Sequence, residues 1–418
     1  MHESGEESVV SSGFPHRPGL WIRRWEDSVR GSIWWATRGA AVAFFVVTGI
    51  GWSGVEGPEG SLGRDLRARL VAEVEAKGLN PAEIVFPDTL TEEIRQWLRD
   101  NVETSPSPKE TITGLLRAMT EPGGLALVYA PGYTGTAAEA FRSQQANCLA
   151  FTHLMVGMSR ELGIPTYYVN YELVERFRRS GDLIVVSGHI SAGYGSGAEG
   201  YLLEFGDLAD LDRSQARPIS DLNALARYYA NRAAELLEDG QVEDALAWAE
   251  TATRLEPALA EGWSNLGVAL RRSGRLDAAE SAYLQATKVD PEYHVAYHNL
   301  FALMRLRGES EAAREILELL DRRNNRNPFI YLELGDQSLA SQRLAEAGRF
   351  YERASKVGSE LAETWAARGG CALDSGKVRK ARRWLKKAQR RSPDDPRTIE
   401  LEQRLLEFEG VLGIESGL

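Results

Sequence analysis

Apolar positions first fall into a helical rhythm over residues 62–120. Leu66, Leu70, Val71 and Val74, then Leu90, Ile94, Trp97 and Leu98, then Leu115, Leu116 and Met119 recur at spacings of a helix face. Turns at Asn80-Pro81, Ser105-Pro106-Ser107-Pro108 and Glu121-Pro122-Gly123-Gly124 divide the stretch into short helices. A further helix is predicted where Phe151, Leu154, Met155, Met158 and Leu162 mark one apolar face, closed by Gly163 and Pro165. The period then shortens to that of a strand. TYYVNYEL (166–173), LIVVSGHI (183–190) and YLLEF (201–205) are predicted strands, the last two forming a hairpin around the Gly-rich residues 191–200. One helix followed by several antiparallel strands predicts an α+β domain, assigned here to residues 60–218.

From residue 226 the pattern repeats. Pro257, Pro291 and Pro393 lie 34 and 102 residues apart, and 102 is three times 34, so five units start at 226, 260, 294, 328 and 362 and run to 395. In the second unit Trp263, Leu266, Gly267, Ala279, Tyr283, Ala286 and Pro291 occupy the diagnostic positions of a helix-turn-helix repeat. Small Ala at these places lets paired helices approach closely while aromatics fill the space beside them. Residues 396–418 are predicted to be an amphipathic capping helix and a tail.

The amino-terminal region obeys another rule. Residues 1–38 show no periodicity and carry five Arg between 16 and 38, a pattern expected of a disordered, basic lead. The apolar run GAAVAFFVVTGIGWSGV comes next, at 39–55. A basic flank before an apolar run is the export pattern, and 17 residues as helix reach about 25 Å against a hydrocarbon core of about 30 Å. The run therefore reads as a signal peptide or a short membrane anchor. The positive-inside rule places the chain beyond residue 55 across the membrane, either anchored to the inner membrane or periplasmic. A helix buried in the protein core is the competing reading. With 49 basic against 60 acidic residues the net charge is −11, which disfavours nucleic acid as a partner. The two cysteines, Cys148 and Cys371, cannot make a disulfide framework and must each be explained singly.

Cys148 falls in the first turn of its predicted helix, where unpaired N–H groups and the macrodipole favour a thiolate. A nucleophilic thiol needs a base, and the chain has six His. His2 and His16 precede the apolar run, His294 and His298 belong to the repeats, and His153 lies about 140° around the helix from Cys148. His189, at the end of a predicted strand, remains. Alternation in YLLEF puts Leu202 and Glu204 on one face, making Glu204 the carboxylate to orient the imidazole; Asp207, after Gly206, is its competitor. No acidic loop with calcium spacing and no His/Cys cluster with zinc spacing is found, so no cofactor is expected.

Cysteine at a helix N-terminus, histidine on one strand and a carboxylate on the next resemble the transglutaminase-like superfamily, with its papain-like Cys-His-Asp core. The residues carrying the resemblance are 136–169, 181–194 and 201–205, while 219–237 lead into units that resemble tetratricopeptide repeats. The fold this implies is an α+β papain-like/transglutaminase-like domain followed by an all-α tetratricopeptide superhelix. It implies Cys148 as nucleophile, His189 as general base and acid, and the position of Glu204 as the orienting carboxylate, where the family usually has Asp. Asn147, before the cysteine, would share the oxyanion with the Cys148 N–H. The expected activity is thiol-dependent amide hydrolysis or acyl transfer on a peptide or protein delivered by the repeats. The alternative is an interaction scaffold with an inert transglutaminase-like domain.

Repeats of this kind offer a concave groove. Asn231, Asn265 and Asn299 recur 34 residues apart at position six of three units, a ladder of amides suited to a peptide backbone. Arg271, Arg272 and Arg305, with His298 beside them, would add a basic patch for a carboxylate-bearing partner. Cys371 is read as packing.

Overall fold

The computed structural model describes residues 23–24, 61–132, 134–180, 183–195, 200–205, 213–322 and 327–411. They form two compact units. The first comprises the described part of Met1–Ala72, with Ile84–Glu172 and His189–Ser220; the second comprises Glu73–Glu83, Leu173–Gly188 and the described part of Asp221–Leu418.

The first unit is organised around one helix, α5 (Cys148–Glu161), whose residues from Leu149 to Arg160 are all buried. A helix buried on every side belongs in the middle of a core. After α1 (Ser61–Ala76), three helices pack on it: α2 (Glu92–Asn101), α3 (Pro108–Thr120) and α4 (Ala137–Ser143). Their boundaries come from local chemistry. Thr91 caps α2 by accepting from the Ile94 N–H, Pro108 opens α3 at a position where its missing N–H costs nothing, and Thr136 with Glu139 forms a capping box on α4. Leu115, Met119, Leu149, Phe151 and Leu154 are almost wholly buried, each contributing about 1.5–3 kcal/mol. Gly157 allows the closest approach: a Cβ there would lie 2.6 Å from the Asp88 carbonyl oxygen. The C-terminal end of α5 is pinned by Arg160, which donates from Nε and Nη2 to the Thr166 carbonyl at 3.1 and 2.9 Å.

Beside α5 lies a five-stranded sheet of order β1-β6-β5-β4-β7: β1 (Arg23–Arg24), β4 (Tyr167–Ser180), β5 (Leu183–Tyr194), β6 (Tyr201–Leu203) and β7 (Ala216–Ile219). The expected antiparallel pairing of the second and third predicted strands is present, with Ala192 opposite Leu203 and Tyr194 opposite Tyr201. Two differences have simple causes. β4 runs on to Ser180, past the charged residues that made it read as ending at 173. β7 was not predicted because Pro218 interrupts its pattern, which an edge strand tolerates. Arg23–Arg24 pair with Leu202 and Tyr201 at the opposite edge. The rest of the predicted basic lead at 1–38, and the apolar run at 39–55, lie outside the described residues. Among the described residues no helix is long and apolar enough to cross a membrane.

The second unit contains the repeats: α6 (Asp221–Glu238), α7 (Val242–Leu255), α8 (Ala260–Arg272), α9 (Leu276–Val289), α10 (His294–Arg307), α11 (Ser310–Arg322), α12 (Pro328–Ala340), α13 (Leu344–Val357), α14 (Ala362–Asp374), α15 (Val378–Gln389) and the cap α16 (Pro396–Val411). The second helix of each pair starts 34 residues after the last, at 242, 276, 310, 344 and 378. Ala245, Ala279, Ala313, Ala347 and Ala381 hold the tightest crossing and are 0–2% exposed. Another pair of register positions trades volume from unit to unit. Gly267 faces Tyr283 and Gly335 faces Tyr351, and a Cβ at either glycine would lie 2.4 Å from the ring, whereas the third unit fills the same two places with Phe301 and Leu317. The turn inside each pair needs a left-handed residue: Gly240, Gly274, Gly308 and Gly376 supply it, and Gln342 takes φ 60° in the fourth.

Candidate functional site

The cysteine is delivered by an abrupt change of backbone. α4 ends on Gln144, in the left-handed region at φ 55°, and the next two residues, β3 (Gln145–Ala146), pair in parallel with β2 (Val128–Tyr129). Asn147 then caps α5: its Oδ1 accepts from the Ala150 N–H at 2.9 Å, and its Nδ2 donates to Thr134 Oγ1 at 2.7 Å. Cys148 is thereby the first residue of the helix, half-buried, where the N–H groups of the first turn have no partner within the helix. Asn147, expected as an oxyanion donor, has both ends of its amide engaged in holding this turn.

The sheet brings His189 to the same end of α5. Thr152, one turn beyond Cys148, places its Oγ1 2.7 Å from the Cys148 carbonyl oxygen and 3.3 Å from that of Ile190, the residue after His189. Pairing of Gly193 with Leu202 puts His189, Ser191 and Gly193 on the sheet face that also carries Glu204. Tyr171 of β4 joins them. Its ring lies 5.2 Å from the His189 ring, centroid to centroid, and its hydroxyl donates to Glu204 Oε1. His189 is 8% exposed and Tyr171 2%. The structure thus gathers His189, Tyr171 and the partly exposed Glu204 on one sheet face, with Thr152 tying it to the first turn of α5. The competitor Asp207 lies outside the described residues.

Sequence reasoning missed Tyr171. The strand TYYVNYEL was legible, with Tyr167, Val169 and Tyr171 on one face, but which face would meet His189 depends on strand register. His153 is fully buried, its Nδ1 3.0 Å from the Tyr168 hydroxyl, in keeping with a packing role. Among the described residues no group of three or more His, Cys, Asp or Glu is placed to hold a metal ion.

In the repeats the asparagine ladder is turned partly inward. Asn265 donates from Nδ2 to the Ala230 carbonyl at 2.8 Å, and Asn299 to Ser264 Oγ at 3.0 Å, each bond joining a repeat to the preceding one. Asn231 is exposed and Asn299 is buried. Arg272 donates to the Leu237 carbonyl, and Arg305 pairs with Glu333 while lying over the Phe301 ring. Arg271 is partly buried beside them. Asn265, Asn299, Arg272 and Arg305 therefore serve first to join successive repeats. Cys371 is 5% exposed, its thiol 3.6 Å from the Leu344 carbonyl, and burial pushes its pKa up.

Comparison with known proteins agrees with this division. A family model described as the transglutaminase-like superfamily matches residues 87–192, a span containing Cys148 and His189 but ending before Glu204. A tetratricopeptide repeat model matches 260–293, the second unit. Solved structures similar to the chain include one reported as a functional characterization of Pseudomonas aeruginosa pilF (17% identity, 44% of this chain and 84% of that one, TM-score 0.37). Another is TTC0263, a thermophilic tetratricopeptide protein of Thermus thermophilus (20% identity, 44% and 97%, TM-score 0.35). A third is YrrB, described as a tetratricopeptide protein with an unusual peptide-binding site (18% identity, 43% and 92%, TM-score 0.30). No curated protein matches the chain. The chain thus carries an α+β region that matches the transglutaminase-like superfamily over 87–192, followed by tandem helix pairs of which residues 260–293 match a tetratricopeptide repeat.

Proposed function

We propose that Cys148 and His189 form a thiol–imidazole site that cleaves or transfers an amide bond in a peptide or protein brought to it by the repeats. The observation that carries this reading is the Thr152 hydroxyl, which lies between the carbonyl of Cys148 and that of the residue after His189. In the reaction Cys148 Sγ attacks the amide carbon while His189 takes the thiol proton. The C–N bond then breaks as His189 returns that proton to the leaving amine, and a thioester remains on Cys148. Water or a second amine attacks the thioester, His189 again takes the proton, and the thiol is restored. The Cys148 backbone N–H supports the oxyanion, with the second N–H of the Asn147 amide beside it, since one is given to Thr134 and Oδ1 accepts from Ala150. Tyr171 positions His189 and transmits the influence of Glu204.

The test is the pH dependence of iodoacetamide alkylation of Cys148 in the full chain with Cys371→Ser, beside the same chain carrying His189→Ala. An inflection well below about 8.5 that moves upward without His189 is expected. A thiol with ordinary reactivity, indifferent to His189, would leave an interaction scaffold as the function.

The basic flank and apolar run support export, with the domains outside the cytoplasm. One observation favours the competing reading, in which 39–55 belongs to the folded protein: Arg23–Arg24 pair with β6, and a membrane span at 39–55 would part these two strands. Alkaline phosphatase fused after residue 60 separates the two readings, being active only if the chain is exported.

A further inference from the structure

The last repeat carries a surface unlike the others. Residues 377–391 contain nine of the chain's 49 basic residues and no acidic one, in a protein whose acidic residues number 60. On α15 the buried side is formed by Ala381, Trp384 and Ala388. Arg379, Arg383, Lys386 and Arg390 are exposed and fall within about 60° of one another on the opposite side, at 100° per residue. They form a straight ridge about 16 Å long. The same register two repeats earlier is acidic, with Glu311, Glu315 and Glu318 exposed on α11. The ridge is therefore a property of one repeat and not of the array.

We propose that this ridge docks the protein on the surface of a bilayer rich in anionic phospholipid. Charge complementarity supplies the attraction, and the form of the surface selects the partner. α15 packs against both α14 and α16, so its cations stand on the one side of the helix left exposed, whereas reading duplex DNA requires an element that enters a groove about 12 Å wide. Single-stranded nucleic acid is bound by exposed aromatic rings. Here Trp365 and Trp384 stack on each other at 5.2 Å, are 7% and 8% exposed, and lie under Arg383 at 4.1 Å and Lys387 at 4.0 Å. The indoles brace the cations and offer no platform to a base. At one flank Arg382 is paired with Glu409, while Arg379, Lys386 and Arg390 show no ion pair among the described residues.

The test is flotation of the full chain with vesicles of phosphatidylcholine alone and with about 30% phosphatidylglycerol, in about 0.1 M salt. The variant R379E/K386E/R390E is compared with wild type; it leaves Arg383 on its tryptophan, and R379Q/K386Q/R390Q repeats the comparison without charge reversal. Each cation multiplies partition onto an anionic surface about fivefold, so wild type should favour the phosphatidylglycerol vesicles by about a hundredfold over the glutamine variant. The preference should collapse at about 0.5 M salt. Any binding through the apolar run 39–55 is common to both lipid compositions and all variants. Equal binding of wild type and both variants to the anionic vesicles would overturn the proposal. So would displacement of wild type from them by a duplex of about 20 base pairs at equal phosphate concentration, which would assign the ridge to nucleic acid.

Discussion

The two cysteines mark how differently the two parts of the chain are built. Cys148 stands at the half-buried tip of the most buried helix of its unit, at the end of a turn made by a left-handed Gln144, a two-residue parallel pairing and an Asn cap. Cys371 lies inside a helix of a regular stack, where its neighbours are those that any unit of the array would supply and burial suppresses its ionisation. Irregular, long-range construction leaves one thiol half-exposed. Regular, local construction hides one. In the first unit the contacts that matter join residues far apart, such as Thr152 with Ile190 and Tyr171 with Glu204. In the array the contacts recur every 34 residues.

The sharpest break of this contrast is chemical. Cys148→Ala should remove at least about 10³-fold of any amide-cleaving or acyl-transfer turnover without changing the melting temperature, while Cys371→Ser leaves turnover intact. Equal loss from both would mean that the array, and not the tip of α5, governs activity.

Next in size is the volume trade inside the repeats. Gly267→Ala sets a Cβ against the Tyr283 ring and should cost about 1–3 kcal/mol in urea unfolding. Adding Tyr283→Leu should restore part of that, because the third unit already pairs a larger residue with Leu317.

Tyr171→Phe removes the hydroxyl that Glu204 accepts and should cost about 1 kcal/mol of stability. If Tyr171 positions His189, the alkylation profile of Cys148 also shifts with pH; a purely structural role would lower the melting temperature and leave the profile where it was.

In the array, Tyr351 donates to Asp336 Oδ1 at 2.7 Å, and burial, then that bond and the nearby carboxylate, raise its pKa well above the usual phenol range. The unfolded chain releases this proton near pH 10 while the folded one retains it, so stability is present below that pH and falls above it. Tyr351→Phe should flatten the alkaline loss in a melting series. The smallest effect is at the turn of the fourth repeat: Gln342→Gly should stabilise by about 0.5–1 kcal/mol, since among these turns only that one has a non-glycine in the left-handed position.

Much of the fold could be read from the chain. The 34-residue period matches the spacing of the second helices at 242, 276, 310, 344 and 378, because each unit buries its Ala and aromatic positions against its immediate neighbours. Helix and strand periods likewise predicted α5, β5 and β6. Within the site, Cys148 and His189 were legible as residue types at the ends of predicted elements. Three things were not. The edge strands β1 and β7 are too short or too interrupted to show a period. The commitment of Asn147 to Thr134 depends on a contact 13 residues away. The bond from Tyr171 to Glu204 spans 33 residues. The basic ridge was not read from the sequence, because which of the nine cations in 377–391 line up depends on the helix phase that Trp384 fixes by being buried.

By itself the sequence determined the identity of the elements, the register of the repeats and the cysteine poised at a helix start, because periodicity, capping and the helix dipole act over a few residues. Tertiary structure alone decided which groups meet around His189. A strand shifted by one residue would turn His189 and Tyr171 to the other side of the sheet, and only the packing of α5 against a particular register, with Thr152 bridging to Ile190, selects the face they occupy.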